Sequence, residues 1–300
     1  MKTKNKKKLC LMPLLALSLI IYNAHGQLST YSSFEDFSEI KTNTFKKSKE
    51  DEEGKRAGNN FDDNYGLINL EVALWYGATF SELADENGLR RFDAKYEINK
   101  KNLVFAYYDN ALTFDNNFFA NSNGNVPMIG VGAKHDWSKK WFSKVEFGRR
   151  FMIDQDDQSM FNLENGYFFS DKVLGKIVTQ YDIRQDDNLL TLGAFVDLKV
   201  NKWMRLESGL FHSENLAFTN TYNERFLVIP KMRWKKVELN MGVYYDVYKL
   251  QQERLNQFSG GFSHIIFPII KNLKGNAFFN YDKGFKNEIT VVSIGLNQKF

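Results

Sequence analysis

The last thirteen residues, Glu288-Ile-Thr-Val-Val-Ser-Ile-Gly-Leu-Asn-Gln-Lys-Phe300, alternate in character with a period of two. Thr290, Val292, Ile294, Leu296 and Phe300 fall on one face; Ile289, Val291, Ser293, Gly295 and Asn297 fall on the other. Successive side chains of a strand point to opposite sides, so the stretch predicts a strand with one strongly apolar face that runs to a terminal aromatic residue. A soluble core strand would leave that Phe in water. The pattern fits better the closing strand of a barrel whose outer face meets hydrocarbon and whose inner face lines a lumen.

The same period recurs upstream. Ile68, Leu70, Val72, Leu74 and Tyr76 alternate with Asn69, Glu71, Ala73 and Trp75, and Phe92, Ala94, Tyr96 and Ile98 with Asp93, Lys95 and Glu97. Val173, Gly175, Ile177, Thr179, Tyr181 and Ile183 are set against Lys176, Gln180, Asp182 and Arg184, and 190–200 and 237–247 are cleaner still. Apolar residues are expected outward and polar ones inward. The expected fold is all-β: a transmembrane antiparallel up-and-down β-barrel of about 14 strands over residues 66–300.

Connections separate a membrane barrel from a soluble sandwich. Tight turns are expected at 99–102, 138–140, 170–172, 201–202, 235–236 and 270–272. Between them lie longer polar loops near 77–90, 109–125, 152–159, 212–220 and 249–257, with shorter ones near 185–188 and 283–286. Short and long alternate, as periplasmic turns and extracellular loops do. Trp137, Trp141, Trp203 and Trp234 all flank tight turns and are expected to form a girdle at one interface, because an indole prefers the boundary of hydrocarbon and water. Tyr76, Tyr107, Phe147, Tyr181, Tyr245 and Tyr281 are the candidates for the opposite girdle.

Ahead of the barrel the chain changes character. Lys2, Lys4, Lys6, Lys7 and Lys8 precede an apolar run, 9–22, and Ala24-His25-Gly26 offers small residues for cleavage, so residues 1–26 are expected to be a secretory signal peptide. Residues 27–65 are read as a polar periplasmic leader with a dense charge run at 46–55. Phe34, Phe37, Ile40 and Phe45 leave open a short amphipathic helix that plugs the lumen. Removal of the signal leaves 35 Lys and Arg against 36 Asp and Glu, a net charge of −1, which gives no support for a nucleic-acid partner. The single cysteine, Cys10, leaves with it, so disulfides and thiolate metal sites are not available. A mean hydropathy of −0.44 with 15% aromatics suits strands that dilute their lipid-facing residues with polar ones.

Inward positions carry both signs of charge. Arg205, Arg225, Lys231 and Arg233 are the candidates for a basic wall, and Glu71, Asp93, Glu97, Glu207 and Glu238 for an acidic one. So many ions need water or partners. Two interiors meet that need: a hydrated pore with opposed walls, or a network of ion pairs that closes the centre. Loop carboxylates at Asp85, Asp109, Asp115, Asp154, Asp156, Asp157, Asp186, Asp187 and Glu214 lack the spacing of a metal loop, and no metal or cofactor is expected. The loop with Phe114, Phe118 and Phe119 is read as a constriction, a glycan contact or a self-packed loop. An enzyme is not expected, since a rim hydrolase needs Ser and His within hydrogen-bonding reach. His212 sits near a rim, but Ser208 lies two pleats away and Ser213 points to the opposite face.

Two resemblances add to this. The terminal strand ending at Phe300 resembles the signal read by bacterial barrel-assembly machinery, although Gln298 stands where an apolar residue is usual. Gly130-Val131-Gly132-Ala133, with Trp137, Trp141, Thr179, Tyr181 and Asp186-Asp187, resembles the YaiO family of outer-membrane barrels. That resemblance implies a Gram-negative outer-membrane location, with membrane lipid, lipopolysaccharide and the assembly machinery as partners. Related barrels accompany exopolysaccharide export, which points to saccharides. The expected function is a passive channel or export conduit for small polar or saccharide solutes, with a non-conducting surface-binding or structural barrel as the alternative.

Overall fold

The structure is a computed structural model and describes residues 70–81, 84–110, 127–151, 156–184, 188–218, 220–283 and 288–300. The expected signal peptide, the expected leader and the 114–119 aromatic stretch lie outside the described residues. Fourteen strands follow one another: β1 Leu70–Ser81, β2 Ala84–Asn99, β3 Asn102–Asp109, β4 Met128–Asp136, β5 Trp141–Arg150, β6 Gln158–Phe168 and β7 Val173–Ile183. The second half comprises β8 Leu189–Lys199, β9 Met204–Asn215, β10 Thr221–Trp234, β11 Val237–Leu250, β12 Glu253–Ile270, β13 Leu273–Lys283 and β14 Glu288–Lys299. Each pairs antiparallel with its sequence neighbours, and β1 pairs with β14 to close the barrel.

That closure runs the length of β1, from Glu71 opposite Lys299 to Ser81 opposite Ile289. The Phe300 amide donates to the Leu70 carbonyl at 2.8 Å, so the chain's end is tied into the seam. Outward positions are apolar on strand after strand: Leu74, Val131, Ile177, Leu192, Val243 and Ile294 are all more than 40% exposed. Such a belt is stable only against hydrocarbon.

The ends of the barrel differ in part from the reading above. Connections at the terminal end of the barrel, where β1 begins and β14 finishes, span two to four residues, as expected. The expected loops at 77–90 and 249–257 are instead paired strand. β1 and β2 stay paired up to a two-residue connection after Ser81, with one shift of register between Thr79 and Ser81, and β11 turns into β12 through Gln251 and Gln252, with Gln251 at φ 56°. The 212–220 loop likewise shortens, because β9 continues to Asn215. Polar alternation outside the membrane looks like loop in sequence; cross-strand hydrogen bonding makes it strand. Before Gly260-Gly261 the β12 strand bulges, with Ser259 extra against Tyr244 and Tyr245, and Gly260 takes φ 151°, a value that side-chain-bearing residues avoid.

Inside, apolar side chains join the polar ones. Val178, Phe195, Phe211, Leu227, Ile229, Tyr244, Phe262, Phe278, Ile289 and Val291 form one buried cluster from β7 to β14, with Trp75 of β1 against it. The expectation of a uniformly polar interior is therefore corrected. A barrel this size contains more inward positions than ion pairs can satisfy, and the remainder close-pack.

The packing rests on aromatic residues directly opposite glycines. Phe142 faces Gly166, Phe195 faces Gly209 and Tyr107 faces Gly130 across the ladder. Each ring lies flat where a side chain would stand: a Cβ on Gly166 would come within 2.0 Å of Phe142, and one on Gly130 within 2.1 Å of Tyr107. Tyr107, expected in the outer girdle, is thus an inward residue. Replacing Gly166 with Leu is expected to destabilise the barrel by about 1–3 kcal/mol through overpacking. Leu at the outward, exposed Ala194 should leave stability unchanged, the two being compared by urea unfolding of refolded protein in lipid vesicles.

Candidate functional site in the lumen

The inward charges gather into two clusters rather than two walls. In the first, Lys176 Nζ donates to both oxygens of Glu207 at 3.2 Å, and Lys231 Nζ donates to Glu207 at 2.8 Å and Asp197 at 3.2 Å. Arg205 Nε donates to Asp197 at 2.8 Å. Strands β7 to β10 supply these groups at successive inward positions, because Asp197 and Glu207 are register partners. The second cluster centres on Arg225. Its Nε and Nη2 grip Asp246 at 2.8 and 2.7 Å, and Nη1 and Nη2 grip Asp282 at 3.1 and 3.0 Å. Tyr248 OH adds a bond to Asp246 at 2.9 Å. A planar guanidinium that holds two carboxylates uses its fork geometry fully.

Leu227 and Ile229 separate Arg225 from Lys231 on the inward face of β10, so an apolar layer divides the clusters. Burial extends to the ions themselves: Asp197, Glu207, Asp246 and Arg225 are 0–1% exposed, as are the neighbouring Ile229 and Tyr244. A wide water-filled pore would wet them. Of the two interiors that the charges allowed, the described residues form the ion-pair network.

The proposed walls are corrected accordingly. Arg205, Lys231 and Glu207 belong to one cluster and Arg225 to the other, whose carboxylates, Asp246 and Asp282, were not in the acidic set. Arg233 pairs locally with Glu238. Asp93 pairs with Arg91 at 2.7 Å, and Asp109, expected in a loop, is buried and bound to the same arginine at 3.3 Å. Glu71 accepts from Asn297 across the closing seam, and Glu97 is exposed near the terminal mouth. Interleaving follows from register: opposite charges on adjacent strands attract at short range in a low dielectric.

A repeated layering missed by the sequence reading underlies this arrangement. Lys176 lies over the Phe195 ring at 5.1 Å, Lys134 over Phe142 at 4.9 Å, Lys144 over Phe105 at 4.8 Å and Arg91 over Tyr107 at 4.9 Å. Glycine backbone, flat ring, cation and carboxylate follow one another inward from the wall. Cation–π attraction of about 2 kcal/mol where desolvated supports such a stack. Only the register places the glycine of one strand opposite the aromatic of the next, and no single strand shows it.

Outside, Trp137, Trp141, Trp203 and Trp234 are all exposed at the end with the termini, and Trp137 stacks on Trp141 at 5.4 Å and donates to Ser143 at 2.9 Å. His212 faces outward at 3.6 Å from Glu224, while Ser213 faces inward and bonds Thr191 at 2.8 Å. Among the described residues no cluster of His, Cys, Asp and Glu has metal-binding geometry.

No family model matches the chain, and no curated protein is significantly similar to it. Among solved structures it is similar to a bacterial polysaccharide outer membrane secretin, with 7% identity over 78% of this chain and 100% of that one and a TM-score of 0.54. It is also similar to the Ralstonia pickettii toluene transporter TbuX, with 8% identity over 79% of this chain and 90% of that one and a TM-score of 0.51. The chain is an outer-membrane β-barrel. Identities this low carry the fold and no chemistry.

Replacing Arg225 with Met should cost about 3–5 kcal/mol, because Asp246 and Asp282 would remain buried without their counter-charge. Adding Asp246→Leu and Asp282→Leu is expected to recover most of that loss, since an apolar filling removes the unpaired ions. Urea midpoints of the single and triple variants check both outcomes.

Proposed function

We propose that this barrel is a conduit for small polar or saccharide solutes whose lumen is closed at rest by its own side chains. The observation that carries the reading is the charge buried in the interior. A barrel with a purely mechanical role is filled more cheaply by apolar residues, since buried ion pairs gain little net stability over well-packed hydrophobic ones. Several inward polar atoms, Tyr244 OH, Asn223 Oδ1, Asn276 Nδ2 and Ser293 Oγ, have no hydrogen-bond partner among the described residues. Buried groups of this kind bind water or a polar solute.

The similar structures described above are a polysaccharide secretin and a toluene transporter. Toluene would favour an apolar lumen, so the ion pairs here favour the polar class, in line with the YaiO resemblance. The alternative, a non-conducting surface-binding or structural barrel, is favoured by the dry apolar cluster from β7 to β14.

Planar-bilayer recordings of the refolded mature protein are expected to show brief, discrete steps, with larger or longer ones from Phe195→Ala, which thins the apolar layer. A form lacking 27–60 tests whether the leader adds to the closure. Silence from all three, with folding and insertion verified, would discard the conduit and leave the surface barrel.

A further inference from the structure

The two mouths of the barrel carry opposite charge. Connections at the end with the termini hold nine lysines and one carboxylate, Asp171. The lysines are the doublets at 100–101, 139–140 and 235–236 together with Lys172, Lys202 and Lys271, so each of the six turns has at least one, and all are exposed. Connections at the opposite end hold seven carboxylates and only two cations, Arg184 and Lys286. Solubility alone would not sort charge by end.

The cationic surface continues inward. Lys199 and Arg233 are exposed on the inner face near this mouth, and Lys95, Arg205, Lys274 and Lys299 are half-buried there. Carboxylates on the same open surface are fewer: Glu71, Glu97, Asp136 and Glu238. Turn lysines outside and cations inside therefore make a funnel that narrows toward the Lys231 and Arg205 cluster. A cleft lined by one sign of charge over low-dielectric walls concentrates ligands of the opposite sign.

We propose that the periplasmic mouth is a binding site for a soluble linear polyanion of the acidic-oligosaccharide class, which specifies the solute of the conduit proposed above and rests on that reading. Repeated carboxylates along a flexible chain match cations spread over a rim and a vestibule. Phospholipid headgroups reach the turn lysines but not the inward-facing ones. Over 27–65 the leader carries nine carboxylates and six cations, a net charge of −3 with the two signs interleaved, so it is a sparser polyanion than a chain with a carboxylate on every unit.

The test is equilibrium binding of a fluorescent short oligouronate to the full mature chain in nanodiscs of phosphatidylcholine alone, with a neutral maltooligosaccharide of equal length as control. The oligouronate should bind, the neutral sugar should not, and added salt should weaken binding several-fold by screening. Lys199→Glu with Lys274→Glu should weaken it at least as much, and so should Lys100→Glu with Lys139→Glu and Lys235→Glu, with folding checked by heat-dependent gel mobility. No binding, equal binding of the neutral sugar, or indifference to the inward pair would overturn the proposal; gain of binding to phosphatidylglycerol nanodiscs as the only charge effect would assign the lysines to lipid. Because the readout needs no conduction, a barrel that conducts without binding keeps the conduit and loses this site.

Discussion

A hydrocarbon layer offers no water to a peptide group, and every amide that crosses it must find a carbonyl within the protein. In a sheet this requires closure, so β1 must meet β14 in register. The terminal alternation from Glu288 to Phe300 serves that seam. Its apolar face continues the outer belt, and its inner face places Ser293, Gly295 and Asn297 where β1 and β13 can pack against them.

Closure brings a second demand, that of an interior to fill. The described residues fill it in layers from the wall inward, with glycine backbone under flat aromatic rings, cations on the rings and carboxylates on the cations. Each layer satisfies the one beneath it. A ring laid on glycine gives up its height, which leaves room for a long cationic side chain above. The cation reaches a carboxylate two or three strands away, as Lys176 of β7 reaches Glu207 of β9 and Arg225 of β10 reaches Asp282 of β13. Ion pairs held this way are costly to break and gain little over apolar filling, so their presence bears on function more than on stability.

The interior is also graded along its axis. Asp197 and Glu207 lie in the half nearer the terminal turns, Arg225, Asp246 and Asp282 in the other half, with Leu227 and Ile229 between them, and the mouth itself stays open and cationic. With the acidic connections at the other end, this gives the barrel an electrostatic direction that matches its structural one. Trp137, Trp141, Trp203 and Trp234 mark the same end on the outside, so aromatic anchors and cationic turns sit together at one interface.

Much of this was legible in the chain. A period of two repeated along residues 70–300 specifies strands, apolar outward faces specify lipid, and short turns flanked by tryptophan specify one end, because each of these is a local property of a strand or turn. What the sequence left open depended on neighbours. The 249–257 stretch reads as loop until β11 and β12 are paired, and Tyr107 reads as girdle until Gly130 is opposite it. Arg225 reads as part of a basic wall until β11 and β13 bring Asp246 and Asp282 to it. The sequence by itself determined which side of each strand faces lipid, through alternation along one chain. Tertiary structure decided whether the charges line a pore or close it, because pairing across strands is set by register, and register belongs to two strands at once.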